Sequence, residues 1–154
     1  MSGLNVEIQR IAEAQEGVPS DTLLTAWAEA ALDNPGDELE MVIRIVDTPE
    51  SQQLNRQYRG MDKPTNVLSF PFDAPQEVPL PLLGDLVICA PVVSSEARQQ
   101  NKTLAAHWAH MVVHGTLHLQ GYDHQNDQQA QLMEDKERQI LQALNFSDPY
   151  TVEN

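Results

Sequence analysis

The chain has 154 residues and a formal net charge of −14 at pH 7, with nine lysines and arginines against 23 acidic residues. This length allows one domain with a sizeable core and is too short for two ordinary ones, so we expect a single domain over residues 1–154. The acidic balance argues against wide, non-specific contact with nucleic acid, which depends on lysine and arginine meeting phosphates.

Cysteine usage and hydropathy indicate the compartment. The chain has one cysteine, Cys89, so no internal disulfide can form. Residues 1–17 are polar and lack the apolar core of a secretory signal, and no apolar stretch approaches the roughly 20 residues that span a bilayer. These features predict a cytoplasmic protein with no membrane segment.

The spacing of apolar residues predicts four strands and five helices. The strands are expected at residues 4–8, 38–46, 66–70 and 85–89. The helices are expected to open at residues 19–21 and then to cover 48–58, 91–100, 103–120 and 126–144. Thr48 is the predicted cap of the second helix. We expect the apolar stripes of the first and last helices to face the core: Leu23, Leu24, Trp27, Ala30 and Ala31 in the first, and Leu132, Met133, Ile140 and Leu141 in the last. These elements predict an α+β or α/β domain, with strand order and direction left open.

A proline-rich segment separates the third and fourth strands. It covers residues 71–83 and contains Pro71, Pro75, Pro79 and Pro81. Two interpretations remain open for this segment: a mobile flap over a substrate, or a stiff surface connection.

The strongest chemical signal is a cluster of histidines in residues 114–124. His114 and His118 are one helical turn apart, so their rings point to the same side. Gly121 can end the helix in a left-handed conformation, after which the chain can fold back and present His124. Three imidazoles with an open fourth position are typical of a catalytic zinc site, whereas structural sites are closed by four ligands. The pattern therefore predicts one Zn²⁺ per chain, although imidazole also suits nickel, copper and iron.

The same histidine spacing occurs in the metzincin zinc peptidases, with one difference. In those enzymes a glutamate follows the first histidine and takes a proton from water at the metal. Here Gly115 occupies that position and has no side chain to transfer a proton. A metal site without the peptidase base favours a different electrophile, such as a phosphodiester.

Three residues near the predicted ligands have supporting roles. His107 and His110 fall on the same helical face as the ligands, and we expect them to pack or to support the ligands rather than to bind the ion. Asp123 either accepts a hydrogen bond from a ligand imidazole and thereby sets its tautomer, or is a turn residue beside Gly121.

Positive charge is concentrated between residues 53 and 66. Arg56, Arg59 and Lys63 lie there with only Asp62 to oppose them. A small positive pocket in an acidic body would bind RNA weakly and would depend on a partner for placement. The alternative for Arg59 is a surface ion pair.

At this point the chain resembles the YbeY family of bacterial single-metal endoribonucleases, also called rRNA maturation factors. The matching motifs come in family order and extend over most of the chain. They are Leu54-Asn55, Tyr58-Arg59, residues 62–71 (DKPTNVLSFP), Gly84-Asp85-Leu86 with Ile88, and the histidine run with Gly121-Tyr122-Asp123. Many family members carry aspartate at the position of Asn66. The asparagine in this chain argues against an essential carboxylate there.

The resemblance implies a compact α+β fold, with a small mixed sheet of four strands, about five helices and the metal in a cleft formed by the histidine helix. It implies cleavage of single-stranded RNA, maturation of 16S rRNA near its 3′ end and a part in ribosome quality control. The expected partners are therefore 16S rRNA, the small ribosomal subunit and its assembly proteins. Metal ligation is implied for His114, His118 and His124, and a functional arginine for Arg59.

These observations combine into one hypothesis with two rivals. Zinc lowers the pKa of a bound water from 15.7 toward about 7, and Arg59 acts as the catalytic residue that stabilises charge on the phosphate. Arg56 and Lys63 bind the RNA backbone on either side. The rivals are a ribosome assembly factor with a structural metal, and a metallopeptidase-like hydrolase that takes its base from elsewhere, such as Asp123.

Overall fold

The structure, a computed structural model, describes residues 3–11, 17–34, 38–72 and 81–150. The strands are β1 (Leu4–Arg10), β2 (Leu39–Val46), β3 (Val67–Pro71) and β4 (Leu82–Cys89). The helices are α1 (Asp21–Ala30), α2 (Thr48–Arg59), α3 (Ala90–Gln99), α4 (Leu104–Leu119) and α5 (Asp127–Ala143). The described residues therefore confirm the predicted α+β fold with five helices and four strands.

The four strands form one mixed sheet in the order β1-β2-β4-β3. β1, β2 and β4 run parallel, whereas β3 pairs antiparallel with β4 and lies at the edge of the sheet. Successive side chains along a strand point to opposite faces. Ser69 and Phe70 of β3 therefore project to different sides of the sheet, which matters for the site described below.

Helices cover both faces of the sheet. On one face Ile43 and Leu86 belong to the main core, together with Trp27 of α1 and residues of α4 and α5. On the other face a smaller cluster, which includes Leu68 and Val87, packs with residues of α2 and α3. Strand β4 is buried on both sides over residues 86–89, which explains its unbroken apolar sequence.

Two local predictions about the helices are wrong. The N-cap of α2 is Asp47, whose carboxylate accepts a hydrogen bond from the Thr48 N–H at 2.7 Å, so Thr48 is already the first helical residue. Leu23 and Leu132 are 46% and 57% exposed. Ala30 is exposed as well. Leu24 and Met133 are buried as expected, because a surface helix turns only one stripe toward the core.

The described residues contain no helix that is long and apolar enough to cross a membrane. Residues 73–80, which make up most of the proline-rich segment, lie outside the described residues. The two ends of that segment are strands, because β3 extends to Pro71 and β4 begins at Leu82. The predictions of a flap or a stiff connection therefore remain predictions.

Candidate metal centre

Two of the predicted ligands, His114 and His118, lie toward the end of α4, and His124 follows after the helix has ended. This helix begins after Thr103, whose hydroxyl accepts a hydrogen bond from the Ala106 N–H at 3.1 Å and so satisfies one free donor of the first turn. Its apolar residues pack into the main core. Its histidines contact the neighbouring helices instead: His107 contacts α3, and His110 and His114 contact α5.

A pair of hydrogen bonds ends α4 and turns the chain back. The Gly121 N–H donates to the His118 carbonyl at 3.0 Å, and the Tyr122 N–H donates to the Leu117 carbonyl at 3.2 Å. Gly121 has a φ of +102°, a conformation that residues with a Cβ reach only at a cost. The predicted glycine turn is therefore present, and it returns His124 to the last turn of the helix.

The three predicted ligands face one another. The ring centroids are 4.7 Å apart for His114 and His118, 5.1 Å for His118 and His124, and 6.0 Å for His114 and His124. One nitrogen from each ring lies within 4.8 Å of the others. Small side-chain rotations would therefore place all three nitrogens at the usual Zn–N distance of about 2.1 Å from one ion. The donor set fits a single divalent ion.

Burial and neighbouring charge favour the metal-binding form of His118. Desolvation, followed by the neighbouring imidazoles of His114 and His124, lowers the pKa of His118, and a neutral imidazole is the form that binds a metal. His114 and His118 are half-buried, whereas His124 is exposed. The cluster therefore opens to solvent on the side of His124, where a further ligand has access.

Gly115 lies against the sheet, where close packing requires the absence of a side chain. A Cβ atom at this position would lie 2.7 Å from Cδ2 of Leu86 and 3.3 Å from Cγ2 of Val67. Glycine therefore lets α4 approach β3 and β4 closely. A glutamate in place of Gly115 would enter the core, so the peptidase base is incompatible with this packing as well as absent from the sequence.

A buried carboxylate from α5 contacts two histidines of α4, His110 and the predicted ligand His114. Glu137 is fully buried, and its two oxygens hydrogen-bond Nδ1 of His114 and Nε2 of His110, the latter at 3.2 Å. Burial opposes ionisation, but the hydrogen bonds to His110 and His114 outweigh it and lower the pKa of Glu137 to about 2. Since Nδ1 of His114 is occupied, Nε2 is the nitrogen available to a metal. This arrangement is typical of a histidine ligand oriented by a carboxylate.

Glu137 is not among the residues that the sequence motifs single out, although the sequence contains a signal for it. Met133 and Leu141 lie four residues before and after Glu137, and all three are buried. A carboxylate on the apolar stripe of a helix is rarely left without a partner. That signal predicts a buried polar contact without naming the residue that makes it.

The C-terminal segment extends this network. The Tyr150 hydroxyl donates to the oxygen of Glu137 that His110 also contacts. Tyr150 is held there by Arg138, whose guanidinium lies 5.1 Å from the ring centroid, and by Asp148, which accepts its backbone N–H at 2.8 Å. Desolvation and then Glu137 raise the pKa of the Tyr150 hydroxyl, so it remains a donor.

His107 belongs to a separate contact. Its Nε2 lies 2.9 Å from Oε1 of Glu96, and the side-chain amide of Asn66 donates to both oxygens of the same carboxylate at 3.1 and 3.3 Å. Asn66 at this position is therefore a donor to a carboxylate. His107 packs and hydrogen-bonds away from the three predicted ligands, as the sequence suggests.

Asp123 makes a turn contact in the described residues. Its Oδ1 accepts the backbone N–H of His124 at 2.7 Å, and no described imidazole donates a hydrogen bond to it. Desolvation and the neighbouring imidazoles lower the pKa of His118, and the negative charge of Asp123 raises it by a smaller amount. A hydrogen bond donated by a ligand imidazole to Asp123 stays a prediction.

The predicted RNA-binding cations lie together at the end of α2. Arg56 and Arg59 occupy its last turn, and Lys63 follows shortly after. All three are exposed, and none forms an ion pair with a described residue, whereas four other lysines and arginines do. The alternative of a surface ion pair for Arg59 is therefore not seen among the described residues.

Edge strand β3 connects the cations to the histidine helix. The Ser69 hydroxyl lies 3.4 Å from the Gly115 carbonyl, to which it donates. The next residue, Phe70, points to the other side of the sheet, and its ring centroid lies 5.1 Å from that of Tyr58, the neighbour of Arg59. The cationic end of α2 and the histidines thus lie on either side of one short strand.

Comparison with known proteins gives a family and a fold. The family model of the endoribonuclease YbeY matches residues 10–145. The chain is also similar to the solution structure of TM1509 from Thermotoga maritima, with 27% sequence identity, a TM-score of 0.63 and coverage of 96% of this chain and 99% of that one. The matched region includes the three histidines, the glycine turn and the cationic end of α2. The chain therefore belongs to the YbeY endoribonuclease family.

Proposed function

We propose that this protein is a single-strand-specific endoribonuclease that depends on one zinc ion bound by His114, His118 and His124. The observation that carries the proposal is the approach of one nitrogen from each ring to within 4.8 Å of the others, in a chain of an endoribonuclease family. When bound, a zinc ion supplies Lewis acidity toward a phosphate oxygen and toward water.

In this proposal, buried groups hold the ligands and exposed groups bind the RNA. Glu137 accepts the Nδ1–H of His114, which keeps that ring in one tautomer and directs Nε2 outward. His110 and Tyr150 in turn hold the Glu137 carboxylate in place. None of these three groups needs to move or to exchange a proton during the reaction.

We assign the substrate phosphate to Arg59. Its guanidinium is always charged and offers a planar fork that pairs two phosphate oxygens, which stabilises charge as it builds in the transition state. Arg56 and Lys63 bind phosphates on either side. In a chain with a net charge of −14, three exposed cations without described ion-pair partners mark the surface where RNA is least repelled.

The structure supports a peptidase less well than a nuclease. Gly115 packs against the sheet and provides no base. Glu137 is near the ligands, but it has no exposed surface and is held by two imidazoles and a hydroxyl. A carboxylate in that position orients a ligand and is closed off from water on the open side of the cluster.

Metal content and RNA cleavage, measured on the same samples, test the proposal. We expect the native protein to bind about one equivalent of metal and to cut a short single-stranded RNA. His118→Ala should lose both metal and cleavage, whereas Arg59→Ala should lose cleavage alone. Arg98→Ala, another exposed arginine without a described ion pair, is the matched control and should behave like the native protein. Fully metallated native protein that leaves the RNA intact would contradict the proposal.

We further propose that the cellular substrate is 16S rRNA near its 3′ end, cut in the cytoplasm on the small ribosomal subunit. The motif resemblance supports this assignment, and the acidic surface favours placement by ribosome assembly proteins over binding of free RNA. Cells that carry only Arg59→Ala should accumulate 16S rRNA with extended 3′ ends. Correctly trimmed ends in such cells would contradict this substrate, and failed ribosome assembly with trimmed ends would favour the assembly factor.

A further inference from the structure

Tyr58 is an exposed aromatic residue near the end of α2, the helix end that also carries Arg56 and Arg59. It is 59% exposed, whereas both tryptophans are 4% exposed or less. The other two tyrosines, Tyr122 and Tyr150, donate their hydroxyls to carboxylates. The Tyr58 hydroxyl makes no hydrogen bond to any described residue, so the contacts of its polar end do not explain its position.

The Tyr58 ring is nevertheless held in a defined orientation. It packs against Phe70 of β3 with a centroid distance of 5.1 Å and an interplanar angle of 70°. Edge-to-face contact is a favourable geometry for two aromatic rings. Because Phe70 belongs to the paired edge strand, with Phe70 opposite Asp85 in the register, the pair forms a rigid support for a ring that is mostly open to solvent.

The positively charged residues close to Tyr58 in the sequence suit the phosphates of a nucleic-acid strand. Arg59 follows Tyr58 directly, Arg56 precedes it by two positions, and Lys63 lies five positions beyond. All three are exposed and have no described ion-pair partner. Proteins bind unpaired nucleotides with exposed aromatic rings, on which bases stack, and with nearby cations, which bind the phosphates.

We propose that Tyr58, supported by Phe70, stacks one nucleobase of a single-stranded RNA, next to the phosphate that Arg59 binds. This inference rests on the proposed nuclease function and adds a substrate-binding residue to it. A base inside a duplex has both faces covered by its neighbours, so only an unpaired nucleotide can use the platform.

Four variants of the full-length protein test the platform through binding of a ten-nucleotide single-stranded RNA. Tyr58→Ala removes the ring, and Tyr58→Leu keeps apolar contact with Phe70 without an aromatic face. Both should raise the dissociation constant roughly 5- to 100-fold, the effect of losing one stacked base. Tyr58→Phe keeps the ring, and Leu23→Ala is a control at an exposed apolar residue of α1; both should bind like the native protein.

Tyr58→Trp gives a reading that depends on neither metal nor activity. The native tryptophans are buried, so the new indole is the exposed fluorophore, and a stacked base should quench its emission. We expect quenching by the single-stranded RNA and little change with the corresponding duplex. Equal quenching by both would show that the ring senses phosphate proximity alone and would overturn the proposal.

The outcomes separate this inference from the proposed function. If the native protein cuts the RNA while Tyr58→Leu binds and cuts like the native protein, the platform is wrong and the nuclease assignment is unaffected. If fully metallated native protein neither binds nor cuts the RNA, the nuclease assignment fails and the platform fails with it. Metal content and thermal stability equal to those of the native protein are required of each variant, and a Tyr58→Leu protein that does not fold leaves the Tyr58→Trp quenching to decide.

Discussion

Replacing Glu137 by glutamine tests whether the buried carboxylate of α5 orients a metal ligand. The substitution nearly preserves size and shape and removes the charge. The amide oxygen of glutamine can still accept the Nδ1–H of His114. The amide NH₂, however, takes the place of the oxygen that contacts His110 and Tyr150. A donor then faces another donor, and the support behind His114 is lost on one side.

The expected losses are in stability and in metal affinity. The pKa of Glu137, about 2 against an ordinary 4.5, corresponds to about 3 kcal/mol in favour of the charged form in the folded protein. We therefore expect the free energy of unfolding of the metal-free protein at pH 7 to fall by about 2–3 kcal/mol. Loss of a partner that orients a histidine ligand typically lowers metal affinity by about 10- to 100-fold.

The assay is competition for the metal with a chromophoric chelator at pH 7, alongside urea unfolding of the metal-free protein. Glu134→Gln is the matched control: it makes the same chemical change on the same helix, at a half-buried residue with no side-chain hydrogen bond to a described residue. Tyr150→Phe removes one donor and keeps the carboxylate, so its effect on metal affinity should lie between those of the control and Glu137→Gln.

The reasoning is refuted if Glu137→Gln folds and binds metal as tightly as the Glu134→Gln control. That result would mean that His114 keeps its orientation through packing alone. Weaker metal binding with unchanged stability would preserve the orienting role of Glu137 and would contradict only the energetic argument from its pKa.

Three further predictions concern the other parts of the site and the contact between α3 and α4. Arg59→Ala should lower cleavage about 100-fold. Metal content and stability should stay native, because the side chain is exposed and has no described ion pair. Loss of metal or of folding would contradict the assignment of Arg59 to the phosphate. His124→Ala should abolish stable metal binding. The metal-free variant should be as stable as the metal-free native protein, since His124 is exposed. Retention of one equivalent of metal would remove His124 from the ligand set. The hydrogen bond to His107 lowers the pKa of Glu96, opposed by burial and assisted by Asn66, so this contact stabilises the fold above pH 4.5 and its contribution disappears as the pH falls further. Urea unfolding over a pH series should therefore show a weaker loss of stability at acid pH for Glu96→Gln than for the native protein, and parallel curves would contradict the pKa argument.

Much of the fold and the candidate metal ligands follow from local sequence patterns. The spacing of apolar residues is enough to locate all nine described elements, because helix and strand periods are properties of short segments. The ligand set is also local: His114 and His118 share one helical face, and Gly121 permits the turn that returns His124. The errors at Leu23 and Leu132 come from adjacent apolar residues, where the period alone does not decide which one meets the core.

Tertiary structure decides which distant residues support those ligands. Glu137 is separated from His114 by 23 residues and reaches it only because α5 packs on α4. The same packing of α4 on the sheet turns position 115 into the core, so the missing peptidase base is a consequence of the fold. Tyr58 and Phe70 likewise meet only across the edge of the sheet. Such contacts depend on how separate elements are oriented in space, and a one-dimensional pattern contains no measure of that orientation.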